Sequence, residues 1–232
     1  MADTRVENAR RLMVTFADST GLTGSHTPRR YLWTDAHAVC NFLGLAAATG
    51  DDRYRRLALD LVDQVHHVLG RHRDDDDRSG WISGLGDAEG ERHPTASGLR
   101  IGKPLPERRS GEAHDPQAEW DQDGQYYHYL TKWMHALLQT SAATGDDRYL
   151  TWAVELAVAA YEGFRARSGP PRLYWKMSIA LDRPLVPSSG LHDPLDGLVT
   201  ALTLRAAGGD PQKLAPLTAH LADLCRNRRW ET

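Results

Sequence analysis

The sequence predicts an all-α fold of helical hairpins, and three observations carry that expectation. The octapeptide AATGDDRY at residues 47–54 recurs letter for letter at residues 142–149. An internal repeat decides architecture before any local pattern does. In both copies a largely apolar helical pattern precedes the octapeptide and an amphipathic one follows it, so the motif is the turn of a helical hairpin. A third, weaker copy of the same arrangement surrounds Gly208-Gly209-Asp210-Pro211.

Each element follows from its spacing. Residues 4–17 read as a first helix with Val6, Ala9, Leu12, Met13 and Phe16 on one face. A Gly/Thr/Ser/Pro loop runs from Asp18 to Pro28. Residues 31–48 are apolar on nearly every side, which marks a buried inner helix. After the turn, residues 52–70 place Tyr54, Leu57, Ala58, Leu61, Val65, Val68 and Leu69 on one stripe, opposite Arg55, Arg56, Asp60 and Asp63. That is an amphipathic outer helix, with Gly50 suited to a left-handed stop and an Asp to the next N-cap. Residues 126–143 and 148–164 repeat the inner and outer patterns, and 192–207 and 212–226 repeat them again. Between the first two hairpins lies one long irregular loop, 71–121, which Trp81, Ile82, Leu99, Ile101 and Leu105 are placed to anchor as short strands. A structureless stretch that long in a compact domain is functional or disordered. The sum is roughly seven helices in a single domain over 1–232.

Composition narrows the function. Net charge is −3 and no basic block is present, which argues against a nucleic-acid partner. No apolar run of membrane-spanning length occurs, and the N-terminus lacks a secretion signal. Cys40 and Cys225 fall inside apolar helical patterns and read as reduced residues of a cytoplasmic protein. Seven Trp and eight Tyr against three Phe suit either a wet, stacking cleft or ordinary core edges. His66 and His67 are adjacent, so they face different ways and read as structural. The run Asp74–Asp77 reads as a solvated turn tip, since the alternating oxygen spacing of a calcium loop is missing.

Alternating buried and amphipathic helices joined by ATGD turns resemble the six-hairpin (α/α) toroid proteins. That superfamily includes several glycoside hydrolase families, unsaturated glucuronyl hydrolases, and the N-acylglucosamine and cellobiose 2-epimerases. The resemblance covers roughly residues 31–70 and 122–229. Residues 31–37 (YLWTDAH), 98–105 (GLRIGKPL) and 119–128 (EWDQDGQYYH) are similar to those of an uncharacterised bacterial group, which brings no mechanism with it. The resemblance implies a carbohydrate ligand bound at inner-helix ends, with no cofactor and no metal. Seven helices are about half of a ring, and the chain stops at residues 228–232, directly after an outer helix. The expectation is a partial ring: one whose remainder is missing, one that a homodimer completes, or an open crescent.

Three segments at inner-helix starts hold the candidate chemistry. In the first, Trp33, Asp35 and His37 combine a carboxylate near the positive end of a helix with an aromatic platform. Asp35 reads equally as a cap. The second is the densest polar and aromatic cluster: Trp120, Asp121, Asp123, Tyr127, His128 and Lys132. Glycosyl transfer needs one carboxylic acid to protonate the leaving oxygen and a second carboxylate to attack or to activate water. Asp35 and Asp123 are the expected pair of a metal-independent glycoside hydrolase. His128 and Lys132 share one helical face, and a Lys beside a His there suggests an anionic ligand. The third segment holds Trp175 and Lys176, then His192 and Asp193 ahead of Pro194. His192 aligns with His128, and two imidazoles at equivalent helix starts suit proton abstraction beside a sugar carbonyl, the chemistry of a 2-epimerase or isomerase. Plain helix capping explains His192 and Asp193 as well. Arg100 and Lys103, in a Gly/Pro-bounded loop, are placed to cover the cleft. A third reading is a non-catalytic helical-repeat scaffold that binds a protein partner on its concave face.

Overall fold

The computed structural model describes residues 4–24 and 26–226. Residues 1–3, at the start of the N-terminus read for a leader, and 228–232, the stop after the last outer helix, lie outside the described residues. The fold is all-α and built from helical hairpins. The long helices are α1 (Thr4–Ser19), α2 (Leu32–Thr49) and α3 (Asp52–Leu69), followed after the long loop by α6 (Tyr127–Thr144), α7 (Asp147–Phe164), α8 (Asp193–Ala206) and α9 (Pro211–Arg226). Their ends fall within about two residues of the sequence expectation. Two single-turn helices, α4 (Asp87–Arg92) and α5 (Pro116–Asp121), interrupt the loop. Among the described residues no helix is long and apolar enough to cross a membrane.

The repeated octapeptide builds the same turn twice. Gly50 and Gly145 close α2 and α6 at φ 70° and 71°, a left-handed conformation that costs a side chain strain. Asp51 and Asp146 then cap α3 and α7, accepting from Arg53 N at 2.9 Å and Arg148 N at 3.0 Å. Thr49 and Thr144 hydroxyls each accept from the capping Asp N–H at 3.2 Å. Capping side chains of this kind contribute about 1 kcal/mol each. Because the two turns are separate, Asp51→Ala and Asp146→Ala should each lower stability by about 1 kcal/mol and add in the double variant. Urea unfolding of the three variants checks both the size and the additivity.

The core runs between the hairpins. α2 packs against α1 and α3 and against α6, and α6 packs on α7 and α8. Phe42, Tyr54, Trp133 and Phe164 are fully buried in it. His66 accepts from the Trp133 indole N–H at 3.2 Å, and burial pushes its imidazole down to about 3, so it is a neutral core residue. α2 is not apolar all round: Thr34, His37, Asn41 and Gly44 form an exposed edge. α8 leaves Leu195, Val199 and Leu202 exposed.

The long loop is ordered by backbone pairing. Ile101 N donates to Gly124 O at 2.8 Å, and Leu32 N donates to Ile101 O at 3.0 Å. Trp81, Ile82, Leu99 and Ile101 are buried as anchors, and their segments form isolated bridges without becoming strands. The Leu105 side chain is 46% exposed, and it is the backbone of Leu105 that pairs with Asp121 and Asp123. In the acidic run, Asp75 pairs with Arg73 and Asp76 with Arg78. A two-stranded antiparallel clip joins β1 (Gln125–Tyr126) to β2 (Lys176–Met177), with Tyr126 opposite Lys176. It ties the loop after α7 to the start of α6. The Gln125 amide sits beneath it, donating to Ser97 O and Ile179 O and accepting from Leu99 N.

Candidate active site

The β1–β2 clip and the starts of α2, α6 and α8 bring the three candidate segments together. His128, in the first turn of α6, is surrounded by rings from all of them. Trp33 lies 5.8 Å away, Tyr129 4.8 Å and Tyr126 5.4 Å by ring centroids, and Trp175 stacks on His128 at 6.2 Å. Tyr126 and Trp175 touch at 5.0 Å, and the Tyr31 and Tyr129 hydroxyls share a 2.6 Å hydrogen bond. His37 is exposed and meets Trp33 edge-on at 5.1 Å. Beside this cup opens a cleft of about 260 Å³, lined in part by Glu119, Trp120, Tyr126, Trp175, Lys176 and Ser188. That is below the roughly 300 Å³ where drug-sized sites begin, so the cleft is small. A larger groove of about 620 Å³ lies by Arg172, Pro194 and His220, with neither Trp nor Tyr in its wall.

His128 is the imidazole at the centre of the cup. Its side chain is 25% exposed, and its Nδ1 lies 3.9 Å from an Asp193 carboxylate oxygen. Burial, against the opposing pull of Asp196, takes the imidazole down to about 4. It is therefore neutral at physiological pH, the form that accepts a proton. Lys132, four residues on, is neutralised by Asp196 at 2.8 Å. His192 is exposed, immediately before Asp193. Trp120, at 60% exposure, and Asp121 stand at the rim.

Several residues expected to meet a substrate are engaged within the fold, Lys176 among them although it borders the cleft. Asp123 is sealed: one oxygen accepts from the Gly102 and Gly124 N–H groups at 3.0 Å, the other pairs with Arg100 at 2.7 Å and Arg73 at 3.5 Å. The other two nitrogens of the Arg100 guanidinium donate to the Arg71 and Val68 carbonyls, so Arg100 braces the loop from within. Asp35 is 1% exposed. It accepts from the Tyr31 N–H at 2.8 Å, at the start of α2, and faces the Arg30 guanidinium at 3.7 Å. Burial pushes its carboxyl up to about 6, against the pull of Arg30. Tyr127 turns into the core and packs on Phe164 at 5.4 Å, with its hydroxyl tight against Gly197. Lys176 is fully buried and bonded to Glu119 and to the Glu119 and Gln122 carbonyls, each at 2.8 Å. Sequence reasoning placed Glu119 and Gln125 within the second segment without a role, and gave none to Tyr31 or Tyr129. Tyr129 carried a signal, since it directly follows His128 and extends the aromatic run.

No protein-family model matches the chain, and no curated protein matches it. Among solved structures the chain is similar to a crystal structure of D-mannose isomerase. The TM-score is 0.45 and the identity 14%, over 99% of this chain and 71% of that one. A likeness at that level carries no functional assignment.

Proposed function

We propose that the chain is a carbohydrate-active enzyme that moves a proton at the carbon beside a sugar carbonyl, as a 2-epimerase or aldose–ketose isomerase, with His128 as the base. The observation that carries this reading is the placement of His128. It is a partly exposed, neutral imidazole inside a cup of amphipathic rings drawn from three segments, whereas Asp35 and Asp123 are buried and held by protein partners. Sugar rings stack on Trp and Tyr faces. In the proposed step His128 takes the C2 proton of the open-chain sugar, leaving an enediolate with its charge on O1. Return of that proton to C1, with the O2 hydroxyl proton passing to O1, gives the ketose, and return to C2 after the enediolate turns its other face to His128 gives the 2-epimer. Asp193, close to Nδ1, orients the ring and stabilises its cationic form. One hydroxyl hydrogen of the Tyr31–Tyr129 pair is used between them, which leaves the other to hydrogen-bond the sugar oxygens.

A second reading, glycoside hydrolysis through Asp35, is favoured by one observation: a carboxyl pushed up to about 6 has the protonation that a general acid needs. The pH dependence separates the two. Deuterium uptake at C2 from heavy water, followed against pH, should fall as pH drops through about 4, where His128 becomes protonated, and stay level through neutrality. Glycoside cleavage without C2 uptake, at a rate that falls as pH rises through about 6, would instead follow Asp35.

A further inference from the structure

We propose that the cleft beside His128 receives an anionic sugar, with the carboxylate or phosphate of the substrate held against the Lys103 ammonium. The inference rests on the reading of the cleft as a sugar site. Lys103 Nζ lies 5.0 Å from the Trp120 ring and 5.7 Å from the Tyr31 ring, so it bridges the rim of the cleft and the edge of the cup. Aromatic faces attract a cation but accept none of its hydrogen bonds as a carboxylate would. The neighbouring cations differ. Lys132 has Asp196, Arg73 and Arg100 share Asp123, and Lys176 and Arg108 share Glu119. Among the described residues no carboxylate pairs with Lys103.

The base of Lys103 is fixed. Its carbonyl accepts from Arg73 at 2.8 Å, and the preceding Gly102 N–H donates to Asp123 at 3.0 Å. The charge on the wall is also out of balance. Glu119 is the carboxylate lining the cleft, and it already faces both Arg108 at 3.1 Å and Lys176 at 2.8 Å. Lys103, over the Trp120 ring at the rim, adds a third cation nearby. Burial pulls the Lys176 ammonium below its usual range against the pull of Glu119 and Asp123, with a smaller repulsion from Lys103. An entering anion relieves that imbalance, and a neutral sugar does not. Stacking faces of Trp120 and Trp175 border the same space.

Titration of tryptophan fluorescence with glucose, glucuronate and glucose 6-phosphate, on the full chain, tests this without requiring turnover. At least one acidic sugar should bind tenfold or more tighter than glucose. Added salt should weaken that binding and leave glucose unaffected. The preference should collapse in Lys103→Gln and return in Lys103→Arg. Preference for glucuronate identifies a carboxylate ligand, and preference for glucose 6-phosphate a phosphate. Glucose binding as tightly as both acids, a preference that survives in Lys103→Gln, or no binding of any of the three overturns the inference. C2 exchange on neutral sugars without acid preference would sink this inference alone. Lys103-dependent acid binding without C2 exchange would support it and count against His128 as base.

Discussion

Replacing His128 with Gln should lower C2 proton exchange by about 10²–10⁴-fold, the range that a positioned general base supplies. Gln keeps much of the side-chain volume between Trp33 and Trp175 and loses the group that accepts the proton. His128 is partly exposed and its nearest charged neighbour stands 3.9 Å away, so the fold should lose no more than about 1 kcal/mol. Sugar binding should persist, because the stacking faces remain. A drop in exchange with unchanged urea unfolding and unchanged binding is the expected pattern. Full exchange by the variant would take His128 out of the reaction. An unfolded variant would place His128 in the scaffold.

Replacing Asp123 with Ala should destabilise the fold by about 3–5 kcal/mol, the usual cost of removing one partner from a buried ion pair. Arg100 would be left buried with its charge uncompensated, and the Gly102 and Gly124 N–H groups would lose their acceptor. These contacts join the long loop to the start of α6, so the loss should loosen the floor beneath the cleft. Urea unfolding measures it. A stable Asp123→Ala variant that has lost all turnover would show the opposite: a carboxylate kept for chemistry, as the hydrolase reading requires.

The hairpins were legible because periodicity and turn chemistry are local. Gly50 with Asp51, and Gly145 with Asp146, announce a helix stop and a helix start side by side, and the structure places both pairs at those positions. The three candidate segments were legible as dense clusters of Trp, Tyr, His and Asp at inner-helix starts. What was not legible depends on partners distant in sequence. Nothing near Asp123 shows that Arg100 and Arg73 close over it, since ion pairing has no period. The two-residue strands at Gln125 and Lys176 are too short to carry alternation, yet they set Trp175 against Tyr126. The ion pairs of Lys132 with Asp196 and of Lys176 with Glu119 likewise join residues more than fifty positions apart, so nothing local announces them.

The most direct test of the account is proton NMR of an aldose panel, acidic sugars included, incubated with the protein in heavy water at neutral pH. The account predicts that at least one aldose loses its C2–H resonance and gains a 2-epimer or ketose, with glycosidic bonds in control glycosides left intact. Cleavage of a glycoside with every C2–H resonance unchanged would contradict it.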